Sequence, residues 1–488
     1  MRLNVQRQKM VIAPDKKRVI ARYFFYGEER AEKLIEQVLK LPEREVEGLV
    51  EQILREFSKR HRSISGIFKR NYQKVKPLVE AKIQGKNVSE MQKLLIGSYF
   101  TMEYALESAA LFNPSVVEDF DQSELYPGEK RYIVSLRATG EGHISSLIFR
   151  RAVVDATNQV RMIEPGDQIG EAEFIKDNTY NKKEFIAKLK SMKVEQAILN
   201  LLMKELSDQF TYDQIRETVK SIQAINTKLT IEQKRGLDEI LWLADSHTEI
   251  RFSLDTDISE RVIFPISHFE KGGIEDARFT LFTKDNGEKI YYATYTAYDG
   301  FTILPKLIET KNFLKFKIYP LNGKYAVDKN LALFPRKIKG RYVMLSRIDG
   351  FNNYLMYSDN LYQWNEAHLL TTPKYNWELV QMGNGGAPIE TDKGWLLITH
   401  GVGPVRKYGL GACLLDLDDP SKVIGRLNEP LMLPDEDERS GYVPNVVYTC
   451  GAFIHNGDLI IPYAMSDYAS SFANVNLNAL LDELLAGH

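Results

Sequence analysis

From Leu41 to Phe57 the apolar residues Val46, Leu49, Val50, Ile53, Leu54 and Phe57 recur every three or four positions. That is one face of a helix, and Pro42 suits its first helical position. A second helical stretch is predicted from Val75 to Ile83. A third opens at Ser89, which can form a capping box with Gln92, and runs through Leu94, Leu95, Tyr99 and Tyr104 to a stop at Asn113-Pro114. The same period returns between Asn181 and Leu243. Phe185, Leu189 and Met192 share a face, as do Ile198, Leu201, Leu202, Met203 and Leu206, and Thr211 with Gln214 caps a helix carrying Ile215, Val219 and Ile222.

The rest of the chain alternates in the manner of strands. Five segments repeat one plan, a turn followed by an apolar or aromatic strand with a polar end. Pro127-Gly128 leads into IVSLRATG, Asn286-Gly287 into YYATYTAYDG, Lys339-Gly340 into RYVMLSRIDG, Lys393-Gly394 into WLLITHGVG and Asn456-Gly457 into DLIIPYAMSD. Companion strands follow, as at Tyr354–Ser358 and Gly411–Asp416. A recurrence of about 50 residues with about four strands per unit is the period of a β-propeller blade. The expectation is a mainly β fold: a five-bladed propeller over residues 112–488, a helical region over 1–111, and a helical insertion at about 181–245 between the first two blades. A β-sandwich or two unrelated β-domains is the alternative.

Composition narrows the function. Lys and Arg number 64 against 66 Asp and Glu, a net charge of −2, which argues against a duplex nucleic-acid binder. There is no uncharged apolar run of about 18 residues, so no membrane span is expected. The first residues show no signal-peptide pattern, and the two cysteines, Cys413 and Cys450, provide no disulfide framework. A cytoplasmic protein is expected. The 25 Tyr and 23 Phe are the one compositional excess. No CxxC, HExxH or EF-hand spacing occurs, so no metal site or cofactor is expected.

Chemistry concentrates at strand ends. Glu275-Asp276-Ala277-Arg278 follows Gly272-Gly273, and two carboxylates beside an arginine can form a general acid tuned by its neighbours. Adjacent strand residues point oppositely, so one of the pair is expected to face a pocket. A surface turn with an internal salt bridge is the competing reading. Arg137, Arg347, His400 and Asp467 hold corresponding places at the ends of four repeated strands. Such ends meet at the centre of a propeller, although Arg347 has a competing local partner in Asp349. The basic stretch Arg60-His61-Arg62 reads as a solvated helix end, Asp435–Glu438 as a loop, and Gly383-Asn384-Gly385-Gly386 as no phosphate loop, since a strand follows it.

The ordered set FNPSVV, SLRATG, GGIEDARFT, YYATYTA, LFPRKIKGRYVMLSR, SDNLYQW, GNGGAPIETDKGWLLITHGV, YGLGACLLDLDDPSKVIGR and GYVPNVVYTCG resembles glycoside hydrolase family 130. That family contains mannoside phosphorylases and β-mannosidases, and the resemblance covers about residues 112–155 and 250–475. It implies a five-bladed propeller and an inverting single displacement, with Asp276 as general acid passing its proton through a mannose hydroxyl. Inorganic phosphate is then the co-substrate and mannose 1-phosphate the product. Arg347, His400 and Lys329 match phosphate-contacting positions. Arg137, Arg278 and Asp467 match the mannose subsite, and Glu275 and Tyr295 are placed with them. Gln381 stands where phosphorylases carry a lysine, a loss for which Arg406 or Lys407 can compensate. Ala277 and Glu390 also depart from the common pattern. The alternatives are an inverting β-mannosidase using water with a carboxylate such as Glu141 or Glu390, and a non-catalytic glycan-binding propeller. The helical additions are expected to pack on the propeller rim or to join copies into a homo-oligomer.

Overall fold

The fold is mainly β, built on five groups of antiparallel strands. The computed structural model describes residues 3–83, 87–170, 172–175, 179–192, 194–226, 229–245, 248–265, 272–298 and 303–486. The end of the expected YYATYTAYDG segment, 299–300, lies outside the described residues. The first group pairs Ala110–Glu118 with Lys130–Thr139 and then Ser145–Val154. The second runs Gly273–Thr283, Lys289–Tyr298, Ile303–Thr310 and Lys315–Pro320. One parallel bridge, Gly273 to Ser145, joins these two groups. Ala332–Leu333, Tyr342–Ser346, Asn353–Ser358 and Glu366–Thr371 form the third. The fourth is Gln381–Asn384, Gly394–Val402, Tyr408–Leu415 and Val423–Arg426. The fifth contains Val447–Tyr448, Asp458–Met465 and Ala469–Asn476, and its outer strand is the N-terminal Gln6–Arg7.

The helices before the first group are Glu28–Lys40, Glu43–Phe57, Ile64–Ile83 and Glu90–Tyr99. They share an apolar core of their own built on Ile35, Val46, Val50, Phe68, Val75, Val79, Leu95 and Phe100. Ser89 and Gln92 form the capping box, but the helix they start stops at Tyr99. Thr101–Ala105 is instead a strand paired with Val19–Tyr23. Tyr99 and Tyr104 are five residues apart, off the helical repeat, and β-branched and aromatic residues on both strands suit a pleated pair. Asn113-Pro114 likewise ends no helix. It is a bulge inside the strand Ala110–Glu118, with Asn113 at φ 50°.

The basic stretch does more than meet solvent. Arg60 and His61 both bind Glu103, at 2.8 and 2.7 Å, and Arg62 binds Asp255 and Glu260 at 2.7 and 2.9 Å, so the stretch ties the helices to the β-structure.

The later helices, Lys182–Ser191, Gln196–Glu205, Tyr212–Ile225 and Ile231–Asp245, pack on the second strand group. Leu189, Ile198, Leu202, Ile215 and Val219 share one cluster with Phe149, Phe279, Phe313 and Phe316. The last three rings lie within 6 Å of Phe149, centroid to centroid. Such pairs contribute about 0.5–1.5 kcal/mol each beyond area burial. Seven of the 23 phenylalanines are buried in this one cluster.

Candidate active site

One cavity of about 220 Å³ is lined from all five strand groups. The first supplies Asn113 and Arg137, the second Glu275 and Asp276. Lys329, Asn330 and Arg347 come from the third, Gln381, His400, Arg406 and Tyr408 from the fourth, and Tyr448 and Asp467 from the fifth. Several sit on left-handed backbone: Asn113, Asp276, Asn330, Arg406 and Asp467 have φ between 50° and 65°. Non-glycine residues hold such angles at a cost of order 1–3 kcal/mol each, which the surrounding pairing must offset.

The strain explains a departure from the strand rule. Glu275 and Asp276 both line the cavity because the register slips between Glu275 and Arg278, and Asp276, at φ 52°, turns its carboxylate to the same side as its neighbour. Alternation held for a regular strand, and a bulge cancels it.

Asp276 accepts a hydrogen bond from Asn113 Nδ2 at 2.7 Å. Burial pushes its carboxyl up, but the charges of Arg137 and Arg278, the Asn113 bond and Lys329 outweigh burial and hold it below the ordinary aspartate value. Glu275 is gripped twice, by Arg137 Nη2 at 2.9 Å and by Lys329 Nζ at 2.6 Å. Asp467 behaves oppositely: burial, then the nearby Asp276 charge, push it up to about 7.

Arg347 does not pair with Asp349. That carboxylate accepts instead from the backbone of Phe351 and Asn352 and from the side chains of Asn352 and Tyr354. Arg347 Nε, Asn113 Oδ1 and Asn330 Oδ1 are buried with no hydrogen-bond partner among the described residues. Buried polar atoms without partners are costly, and here they share a cavity wall.

His400 is buried, and burial followed by the charges of Arg347 and Arg278 pulls it down to about 3. The ring is therefore neutral near pH 7 and adds no positive charge. Its Nδ1 lies 3.2 Å from the Asn384 carbonyl. A carbonyl only accepts, so Nδ1 carries the proton and Nε2 is left as an acceptor. Gly383 permits this position, since a Cβ there would stand 2.4 Å from the His400 ring.

Arg278 is buried behind the wall, where its Nη2 donates to the Tyr448 hydroxyl at 2.6 Å. Tyr295 does not join the site. It is buried in the apolar cluster shared with the helices at 182–245. Tyr408 and Tyr448, absent from the sequence expectations, stand beside the His400 ring instead. Asn113 and Asn330 were also missed, although Asn113 sits in the quoted FNPSVV motif. Glu390 lies outside the cavity, bound to Arg336 at 2.7 Å. Glu141 is not among the cavity's lining residues. Asp435–Glu438 is more than a loop: Glu438 is buried and bound to Arg7 and Tyr463.

A family model described as beta-1,4-mannooligosaccharide phosphorylase (Glyco_hydro_130) matches residues 223–485, a little over half of the chain. Among curated proteins, a 1,2-beta-oligomannan phosphorylase of Thermoanaerobacter is 38% identical over 209 residues, which is 41% of this chain and 66% of that enzyme. A beta-1,2-mannobiose phosphorylase of Listeria innocua is 29% identical over 297 residues, 59% of this chain and 81% of that one. The solved structure of that Listeria enzyme with beta-1,2-mannobiose superposes with a TM-score of 0.46 at 22% identity, covering 78% of this chain and 93% of the other.

Proposed function

The chain belongs to glycoside hydrolase family 130, and from that premise we propose that it cleaves a short β-mannoside by inverting phosphorolysis, yielding mannose 1-phosphate and a shortened sugar. The observation that carries this reading is the charge of the cavity. Four cations, Arg137, Lys329, Arg347 and Arg406, face three carboxylates, of which Asp467 is half-protonated near pH 7. The positive surplus suits a phosphate dianion.

In this reading Arg347 is the principal phosphate contact, since no carboxylate pairs with it among the described residues. Arg406 stands in for the cation that Gln381 lacks. Lys329, bound to Glu275 in the free protein, turns part of its charge to the anion. His400 contributes as a neutral ring, its Nε2 accepting the P–OH proton of hydrogen phosphate. Arg137, Glu275 and Asp467 hold the mannose, and Arg278 positions the wall through Tyr448. A phosphate oxygen attacks the anomeric carbon from the face opposite the leaving group, the glycosidic C–O bond breaks, and the departing oxygen takes the proton supplied by Asp276.

The acid needs its proton, and the free cavity holds Asp276 ionised. A bound dianion brings negative charge into the cavity and draws on Lys329, one of the cations that depress Asp276, so phosphate binding raises the proton affinity of Asp276. Hydrolysis would need a carboxylate base roughly 6.5–9.5 Å from the acid, and Glu141 and Glu390 both stand outside the cavity. We place the five strand groups as five propeller blades around the cavity, with the helices at 182–245 inserted between the first two.

The test is incubation of the purified protein with β-1,2- and β-1,4-mannobiose, with and without phosphate. Phosphate-dependent release of mannose 1-phosphate is expected, and equal sugar release in both tubes would sink phosphorolysis. Asp276→Asn should lower kcat by about 10²–10⁴-fold.

A further inference from the structure

A second, differently built groove lies between the helical insertion and the place where the second and third strand groups meet. Two adjoining cavities, of about 320 and 100 Å³, share Glu184, Asn322 and Tyr362. The larger is within the size range of small-molecule sites. On the β side the wall is rigid. Asn322 N donates to the Tyr362 carbonyl at 2.8 Å and Trp364 N donates to the Asn322 carbonyl at 2.7 Å, so residues 322 and 362–364 are laced like a short ladder. Gly323, at φ 104°, lets the two backbones meet, because a Cβ there would stand 2.3 Å from the Trp364 carbonyl. On this platform the rings of Tyr319 and Tyr362 pack with centroids 4.8 Å apart at 51°, and both line the groove. The opposite wall is the helix Lys182–Ser191. Its Lys188 reaches across, Nζ donating to the Leu321 carbonyl at 2.5 Å, which fixes the spacing of the walls.

The groove's chemistry differs from that of the catalytic cavity. It pairs aromatic surface with planar amides, among them Asn181, Gln209 and Asn322. Its charged lining groups are one carboxylate, Glu184, and one amine, Lys188. The Oδ1 of Asn322 is buried with no hydrogen-bond partner among the described residues. Aromatic rings meet the apolar faces of pyranose rings, while amides and carboxylates exchange hydrogen bonds with hydroxyl pairs. The absence of a charge surplus excludes the anion preference of the catalytic cavity.

We propose that this groove is a second, non-catalytic binding site for a neutral oligosaccharide, holding part of a longer glycan chain on the enzyme while a chain end is processed elsewhere. The site does not depend on phosphorolysis, only on the glycan being neutral.

The test is calorimetric titration of the whole protein with a β-1,2-mannohexaose and a β-1,4-mannohexaose, alongside mannobiose turnover. The wild type should bind one of the hexaoses at two sites per chain. Tyr362→Ala should weaken the second site about tenfold or more and leave kcat and KM on mannobiose unchanged. Because Tyr362 is partly buried, the exposed pair Glu184→Ala and Gln209→Ala provides a variant that keeps the fold and should weaken the same site about fivefold or more. One binding site per chain in the wild type for both hexaoses, or a second site unmoved by both variants, would overturn the proposal. A second site that binds an unrelated peptide but no hexaose would do the same. Loss of mannobiose turnover with two-site binding intact would count against the phosphorolysis reading alone.

Discussion

Glu107 and Glu275 are each held between two cations, and the two trios have different fates. Glu107 lies between Arg18 at 2.9 Å and Arg150 at 2.6 Å, with side-chain exposures of 0, 3 and 5%. Glu275 lies between Arg137 at 2.9 Å and Lys329 at 2.6 Å, with exposures of 12, 19 and 32%. The distances match, and the surroundings do not. Around Glu107 the remaining valences are spent on the fold: Arg18 also donates to the carbonyls of Gly166 and Ser259, Arg150 to that of Phe149, and Asp15 N to Glu107 itself. Burial and the adjacent Arg150 charge pull Arg18 down to about 10, a measure of how dry the trio is. Around Glu275 the remaining valences face a cavity. One trio is a weld between the N-terminal segment and the first strand group, and the other lines the shared cavity.

The comparison breaks most visibly at Glu107. Glu107→Ala should cost about 3–5 kcal/mol of stability, because two buried guanidiniums lose their counter-charge, and denaturant titration reads the loss. Glu275→Gln should cost under about 1 kcal/mol in stability, as its trio is part-exposed. Its kcat/KM should fall about 100-fold as Arg137 and Lys329 lose their alignment. Equal shifts in the denaturation midpoint for the two variants would erase the distinction. Next in size, Arg347→Ala should raise KM for phosphate about 10- to 100-fold with little change in the denaturation midpoint, the loss of a charge-assisted contact.

The smallest effect concerns Asp467. Its folded value of about 7 stands above the ordinary 3.8, so between these values the folded chain keeps a proton that the unfolded chain has released. Stability therefore falls as pH rises from about 4 to 7. Asp467→Asn should flatten that slope by about 2 °C in Tm between pH 5 and pH 8. A steeper slope in the variant would reverse the assignment.

Regular periodicity made the strands and most helices legible, and the polar ends of repeated strands marked Arg137, Arg347, His400 and Asp467, which do line one cavity. Irregular backbone was not legible. No spacing rule announces the bulges at Asn113 and Asp276, yet they aim the carboxylates and the amide. Nor does composition tell a core tyrosine from a lining one: Tyr295 and Tyr448 both sit in strands, and only the stacking of strand groups sends one into the core and the other to the cavity. The neutrality of His400 was equally hidden, because it arises from burial and then from the charges of Arg347 and Arg278, remote in sequence.

The outer strand of the fifth group has a kinetic consequence. Gln6–Arg7 pairs with Ala469–Asn476, and Gln8 Nε2 reaches Asn474 across 466 residues. Gln8 is made 466 residues before Asn474, so the fifth group stays unfinished until that later strand has emerged. Contacts so distant in sequence add loop-closure entropy that slows folding more than it weakens the fold. Until Gln6–Arg7 docks, the edge of Ala469–Asn476 is an unpaired template, and the docked strand is the cover that keeps that edge from other chains.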